Sequence, residues 1–209
     1  MRRLRTWLPL VMALLVAHLA AGCGVLDSDS DSDSETGGGA DDGGGSAWQE
    51  RAAAIEGVET FDEEQLAPSH VAGSINYDVL PPVGGSHNER WQDCTGVVYD
   101  DQIASEHAVH SMEHGAVWIT YHPSLPADHV AALAERVAGV DKMFMSPFPD
   151  LDAPISLQAW GFQLKLDNAG DSRIDEFIRT LRDVAGPEAG VAICGGPSAV
   201  TTTGTTPVA

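Results

Sequence analysis

The chain has 209 residues, 31 of them acidic and 11 basic, for a formal charge of −20. That balance excludes a nucleic-acid binder, which needs a basic face to neutralise phosphates. The 43% hydrophobic content supplies the core of one domain, and three cysteines are too few for a cysteine-dense scaffold or a four-cysteine zinc site.

Arg2, Arg3 and Arg5 precede an apolar run from Trp7 to Ala21 that stops at Gly22 and Cys23. A basic start, a short apolar stretch and a small-residue junction are the parts of a secretory signal, and the run is short for a membrane span. Leu19 to Cys23 (LAAGC) resembles a bacterial lipobox, so residues 1–22 are expected to be a lipoprotein-type signal peptide and Cys23 the lipidated residue. This implies a lipid anchor on the extracytoplasmic face of the cell membrane, with simple secretion as the alternative. Residues 23–46 continue with acids spaced by serine and glycine, a self-repelling tether without the apolar content to fold.

The folded unit is expected over 47–196, followed by a threonine-rich flexible tail over 197–209. Trp48 to Glu56 reads as a short helix, and Pro81 to Ser86 as a turn-rich loop that delivers His87 and Trp91. Gln102 to His114 is a helix ended by Gly115, and Ala116 to Tyr121 a buried strand rich in β-branched and aromatic residues. Pro126 opens a helix to Ala138. Lys142 to Ser146 is a strand, Ile155 to Leu166 one long strand, and Asp171 or Ser172 caps a last amphipathic helix. The order predicts an α+β fold, a mixed β-sheet with packed helices in a single small domain, with an α/β sandwich as the alternative.

The chemistry concentrates in His107, His110, Glu113 and His114. On a helix, positions 107, 110 and 114 point within about 60° of one another, which gathers three imidazoles suited to zinc, copper, nickel or iron. His110 to His114 also fits the H-x-x-E-H pattern of inverted zincins, in which Glu113 would activate a water. Such a peptidase needs a third ligand, for which Glu176 is the only suitably placed downstream carboxylate. Gly84-Gly85-Ser86 lacks the lysine and spacing of a P-loop, and no G-x-S-x-G elbow supports a serine hydrolase.

His70 to Tyr77 (HVAGSINY), Pro81 to Asn88 (PPVGGSHN), Trp91 to Cys94 (WQDC), Val109 to Ile119 (VHSMEHGAVWI) and Ser146 to Pro149 (SPFP) together resemble a bacterial family of secreted or membrane-anchored proteins, domain of unknown function 3105. The resemblance covers residues 65 to 196 and supplies no activity. It implies that the relevant histidines are His70, His87, His110 and His114, whereas its pattern does not demand His107. The expected metal set is then His87, His110 and His114, with His70 as a fourth ligand or a supporting donor, and Glu113 orienting a ring or serving as a base. Met143 and Met145 bring a thioether within reach, and a set of three histidines with Met145 would favour copper over zinc.

Once Cys23 carries lipid, Cys94 and Cys194 remain, and in an oxidising compartment such a pair is expected to form a disulfide; the alternative is Cys94 as a thiolate ligand. The functional expectation is an extracytoplasmic metal-binding lipoprotein with a His-rich copper site for binding or delivery, partnered by membrane lipid through Cys23 and by a metal donor or acceptor protein. The alternatives are a metalloenzyme, either a copper oxidoreductase or a zinc hydrolase, and a structural envelope protein without metal.

Overall fold

The structure, a computed structural model, describes residues 46–209. The expected signal peptide over 1–22, the lipidated Cys23 and all but the last residue of the 23–46 tether lie outside the described residues.

The described residues open with helix α1 (Ala47–Ala53), strand β1 (Val58–Thr60) and a 3₁₀ turn (Glu63–Leu66). Two very short strands follow, β2 (Ser69–His70) and β3 (Ser86–His87), then β4 (Thr95–Val98) and helix α2 (Ser105–Glu113). Strand β5 (Val117–Tyr121), helix α3 (Ala127–Val137), strands β6 (Met143–Pro147), β7 (Ile155–Ala159) and β8 (Phe162–Leu166), and helix α4 (Ser172–Leu181) complete the domain. No helix among the described residues is long and apolar enough to cross a membrane.

Six strands form one mixed sheet in the order β1-β8-β7-β5-β6-β4, and β2 pairs with β3 in a separate two-stranded ladder. Strands β4, β6 and β5 run parallel, while β7, β8 and β1 extend the sheet antiparallel. The result is a single small domain of mixed sheet packed against four helices, not a closed barrel or a sandwich. The expected long strand over 155–166 is a hairpin instead. Trp160 and Gly161 turn the chain, with Gly161 at φ +80°, a region that favours glycine.

Side chains alternate along each strand, and the sheet therefore separates two cores. Val117, Ile119, Met143, Met145, Leu157 and Leu164 face one core with Leu133 and Val137 of α3 and Ile174, Phe177 and Leu181 of α4. Trp118 and Phe144, one residue out of phase, face the other core with Ala108, Val109 and Met112 of α2. Each large side chain buried this way contributes about 1.5–3 kcal/mol. The alternation places α2, and any site it carries, across the sheet from the methionine side chains of β6.

Helix α2 is unusual in burying eight of its nine residues, Glu106, His107, His110 and Glu113 among them. Buried polar groups persist only when something satisfies them. The loop from Asn88 to Gln92 does so on one side: Asn88 N–H donates to Glu106 O, Gln92 N–H donates to His107 O, and Ser111 Oγ donates to Gln92 O. At the C-terminal end Gly115 (φ +92°) turns the chain, and the buried Lys142 ammonium donates to the carbonyls of His114 and Ala192.

Residues 197–209, expected to fray, lie back on this loop. Val200 N–H donates to Trp91 O and its carbonyl accepts from Asp93 N–H, Gln92 Nε2 donates to Thr202 O, and Gly204 N–H donates to Gln102 O. Backbone polarity, which the composition of the segment conceals, is what ties it down.

Candidate metal centre

Four side chains converge between α2 and the β2–β3 ladder. The ligand atoms of His70, His87, His110 and Glu113 all lie within 4.8 Å of one another. Two come from α2, where His110 and Glu113 are three residues apart and so share a face. The other two come from the ladder, in which His70 and His87 are register partners on parallel strands and project to the same side. His87, His110 and Glu113 are buried, and His70 is exposed.

The rings are held by backbone. His87 Nδ1 lies 2.8 Å from Gly85 O, and His110 Nδ1 lies 2.7 Å from Asn88 O. A carbonyl only accepts, so each Nδ1 carries the proton and donates, which leaves each Nε2 with its lone pair. Burial lowers the pKa of His110 to about 4, with the nearby His114 and His87 adding to the effect against the Asn88 carbonyl. His110 is therefore neutral at pH 7, the form that binds metal. Burial opposes ionisation of Glu113, but His87, His110 and His70 together outweigh it and hold the carboxyl below its ordinary range.

Among the fully buried ligand atoms of the cluster, His87 Nε2 has no hydrogen-bond partner among the described residues. Glu113 Oε2 stands 2.8 Å from it and 3.9 Å from His110 Nε2, yet the carboxylate lies off the direction in which the ring would donate. Imidazole nitrogens and carboxylate oxygens at about 2.0–2.2 Å from one ion sit about 3–4 Å apart. The four ligand atoms lie within 4.8 Å of one another, and an ion among them would satisfy His87 Nε2. The residues fit a metal ion.

Indole rings wall the cluster. Trp160, in the β7–β8 turn, meets His87 edge-on at 6.0 Å between centroids. Trp91 lies 5.6 Å from His110, and its Nε1 donates to Cys194 O at 2.9 Å. Cys94 and Cys194 form a disulfide, so the Cys94 sulfur is not a ligand.

The remaining expected residues lie elsewhere. His114 meets His110 edge-on at 4.6 Å between centroids, but its Nδ1 donates to Ile193 O and its Nε2 faces Glu188, so it flanks the four and does not join them. His107 points away: its Nδ1 donates to Arg90 O at 2.6 Å, and its Nε2 accepts from Val208 N–H at 2.9 Å. The three-imidazole face of 107, 110 and 114 is thereby corrected to a set in which only His110 belongs. Met145, offered as a thioether ligand, is fully buried in the core on the other side of the sheet, as is Met143, because the odd positions of β6 face away from α2. Glu176 is exposed on α4, which packs on that same far side. Helical spacing suggests Glu113 as an orienting group or base; the structure puts its carboxylate among the ligand atoms. Trp160 carries no such signal, because nothing local announces that a hairpin turn will meet a residue more than seventy positions earlier.

A small mixed-sheet domain whose central helix and a two-stranded ladder hold three imidazoles and a carboxylate defines a protein with a cluster able to coordinate a metal ion. The chain belongs to the family described as protein of unknown function (DUF3105), whose family model matches residues 70–195. The matched span opens on His70 and contains the whole cluster and both cysteines of the disulfide. No curated protein and no solved structure matches the chain.

Proposed function

We propose that this protein binds a single divalent transition-metal ion through His70, His87, His110 and Glu113, for holding or handing on the metal. The observation that carries this reading is the buried, unpaired Nε2 of His87 facing a carboxylate at 2.8 Å, beside a second ring whose Nδ1 is likewise committed to backbone. Outer partners that fix which nitrogen carries the proton are a usual support of metal-binding histidines.

We assign the metal as copper in its divalent state, with zinc as the alternative. The thioether argument for Cu(I) falls with Met145, and a set of imidazole and carboxylate suits Cu(II) or Zn(II), of which Cu(II) binds such sites more tightly. A zinc hydrolase of the H-x-x-E-H type is disfavoured by the same geometry. Its ligand pair would be His110 and His114, yet His114 turns to Ile193 and Glu188. Its base would be Glu113, which here stands among the ligand atoms.

The sequence before residue 46 supports a setting for this activity. A signal-like start and a cysteine at position 23 support a reading in which the domain sits on the extracytoplasmic face of a membrane, held by lipid through an acidic tether, and exchanges metal with a donor or acceptor protein. Elemental analysis of the full chain, purified without a histidine tag, tests the metal. The expected result is about one equivalent of copper or zinc, lost in His110→Ala; no metal after challenge with either ion would leave the cluster a structural one.

A further inference from the structure

Three of the four ligand groups are buried on elements packed into the domain, and the fourth is not. His70 lies in an unbroken exposed run, residues 67–74, between the buried Leu66 and the half-buried Ile75. Ile75 N–H is fixed by the buried Glu106 carboxylate at 2.7 Å, which anchors one end of the run. Along the run, attachment to the body is slight. The β2–β3 ladder is two residues long, Val71 N–H donates to His87 O at 2.7 Å, and the Ser69 and Ser86 hydroxyls share a hydrogen bond of 2.8 Å. Backbone carbonyls hold the rings of His87 and His110, whereas no hydrogen bond holds the His70 ring among the described residues.

We infer that residues 67–74 form a strap by which the metal enters and leaves, with His70 as the exchangeable ligand over a base of His87, His110 and Glu113. This rests on the metal-binding reading above. A segment with few buried contacts and solvent-facing hydrogen bonds opens at little cost in free energy, whereas α2 is packed into the core. Detaching the strap removes one imidazole and uncovers the ion without disturbing the other three ligands. An incoming group, such as an imidazole or carboxylate of an acceptor protein, then takes the vacated position. Exchange of this kind tunes the release rate more than the ability to bind.

The Ser69–Ser86 pair supplies the means of testing it. The full chain is loaded with Cu(II) or with Zn(II), and release to excess EDTA is followed by stopped flow for wild type, His70→Ala, His110→Ala and the oxidised double variant Ser69→Cys/Ser86→Cys, whose new disulfide would pin the strap. His70→Ala is expected to keep one equivalent of metal and release it at least about tenfold faster. The pinned variant should release about tenfold slower than wild type, and His110→Ala should bind no stoichiometric metal. If His70→Ala releases metal at the wild-type rate, or loses binding as fully as His110→Ala does, the strap is not the route and the inference fails while the metal site stands. Unchanged release from the pinned variant, with its disulfide verified by mass, also overturns it. Absence of metal from wild type itself overturns the metal-binding reading and this inference with it.

Discussion

His87 Nε2 and Glu113 Oε2 stand 2.8 Å apart, both shielded from solvent, with the imidazole proton committed on the opposite nitrogen to Gly85 O. Two electron-rich atoms in that position are a standing cost to the fold unless a cation lies between them.

Replacing Glu113 by Gln separates the two roles of this contact. The amide keeps the shape and can donate to His87 Nε2, so the metal-free domain should be as stable as wild type or about 1 kcal/mol more so. Metal affinity should fall about 10–100-fold with the loss of the charged ligand. Thermal unfolding with and without Zn(II) measures both, and a variant destabilised equally in both states would contradict the assignment.

Metal should stabilise the folded chain by mass action. At a free ion concentration about 100 times the dissociation constant the gain is about 2.7 kcal/mol. A rise in melting temperature on adding Cu(II) or Zn(II), reversed by EDTA and absent in His87→Ala, is the expected result.

The metal-free domain should weaken in mild acid. Burial lowers the pKa values of His107 and His114 from their ordinary 6.5, and that of His110 to about 4. Between those values the unfolded chain binds protons that the folded one refuses. The stability is thus full above the unfolded pKa and falls as pH drops from about 6.5 toward about 4. Each pH unit in that window costs about 1.4 kcal/mol for every imidazole that the fold keeps neutral and the unfolded chain protonates. Urea midpoints measured in EDTA should decline across that window, and less steeply in His110→Gln.

His107 offers a control on the neighbouring helix turn. His107→Ala removes the acceptor for Val208 N–H and the donor to Arg90 O, and should cost about 1–2 kcal/mol while leaving metal stoichiometry at the wild-type value. Hydrogen exchange at Val208 should accelerate. Loss of metal in this variant would mean that the face of α2 bearing His107 contributes to the centre after all.

The Cys94–Cys194 link closes a loop of 100 residues. On chain-entropy grounds, replacing both cysteines by serine should cost about 4–5 kcal/mol. Because Cys194 O receives the Trp91 indole N–H, metal release should also quicken as that wall loosens. Denaturant unfolding and EDTA release check the two effects.

Much of the architecture was legible because hydrophobic period reports local structure. The expected helix ending at Gly115, the strand Ala116 to Tyr121, the helix Pro126 to Ala138 and the last helix each fall within a few residues of α2, β5, α3 and α4. Helical spacing alone reached only the α2 part of the site, where His110 and Glu113 share a face; His87 and His70 were expected from the family resemblance and not from spacing. His70 was harder. It joins the cluster through a two-residue parallel pairing with β3 across sixteen intervening positions, and no composition or period encodes such a contact. Met145 was misplaced for the converse reason: residue type suggested a ligand, but the face of β6 it occupies is set by the register with β5.

The order of the elements along the chain has a consequence for the cluster. All four ligand groups exist once residue 113 is made, yet the strand that places β1 at the sheet edge is β8, and the carbonyl that holds Trp91 belongs to Cys194. A nascent chain therefore carries the ligands long before the surfaces that arrange them. The assembled geometry around the cluster is complete only once the C-terminal segment has docked.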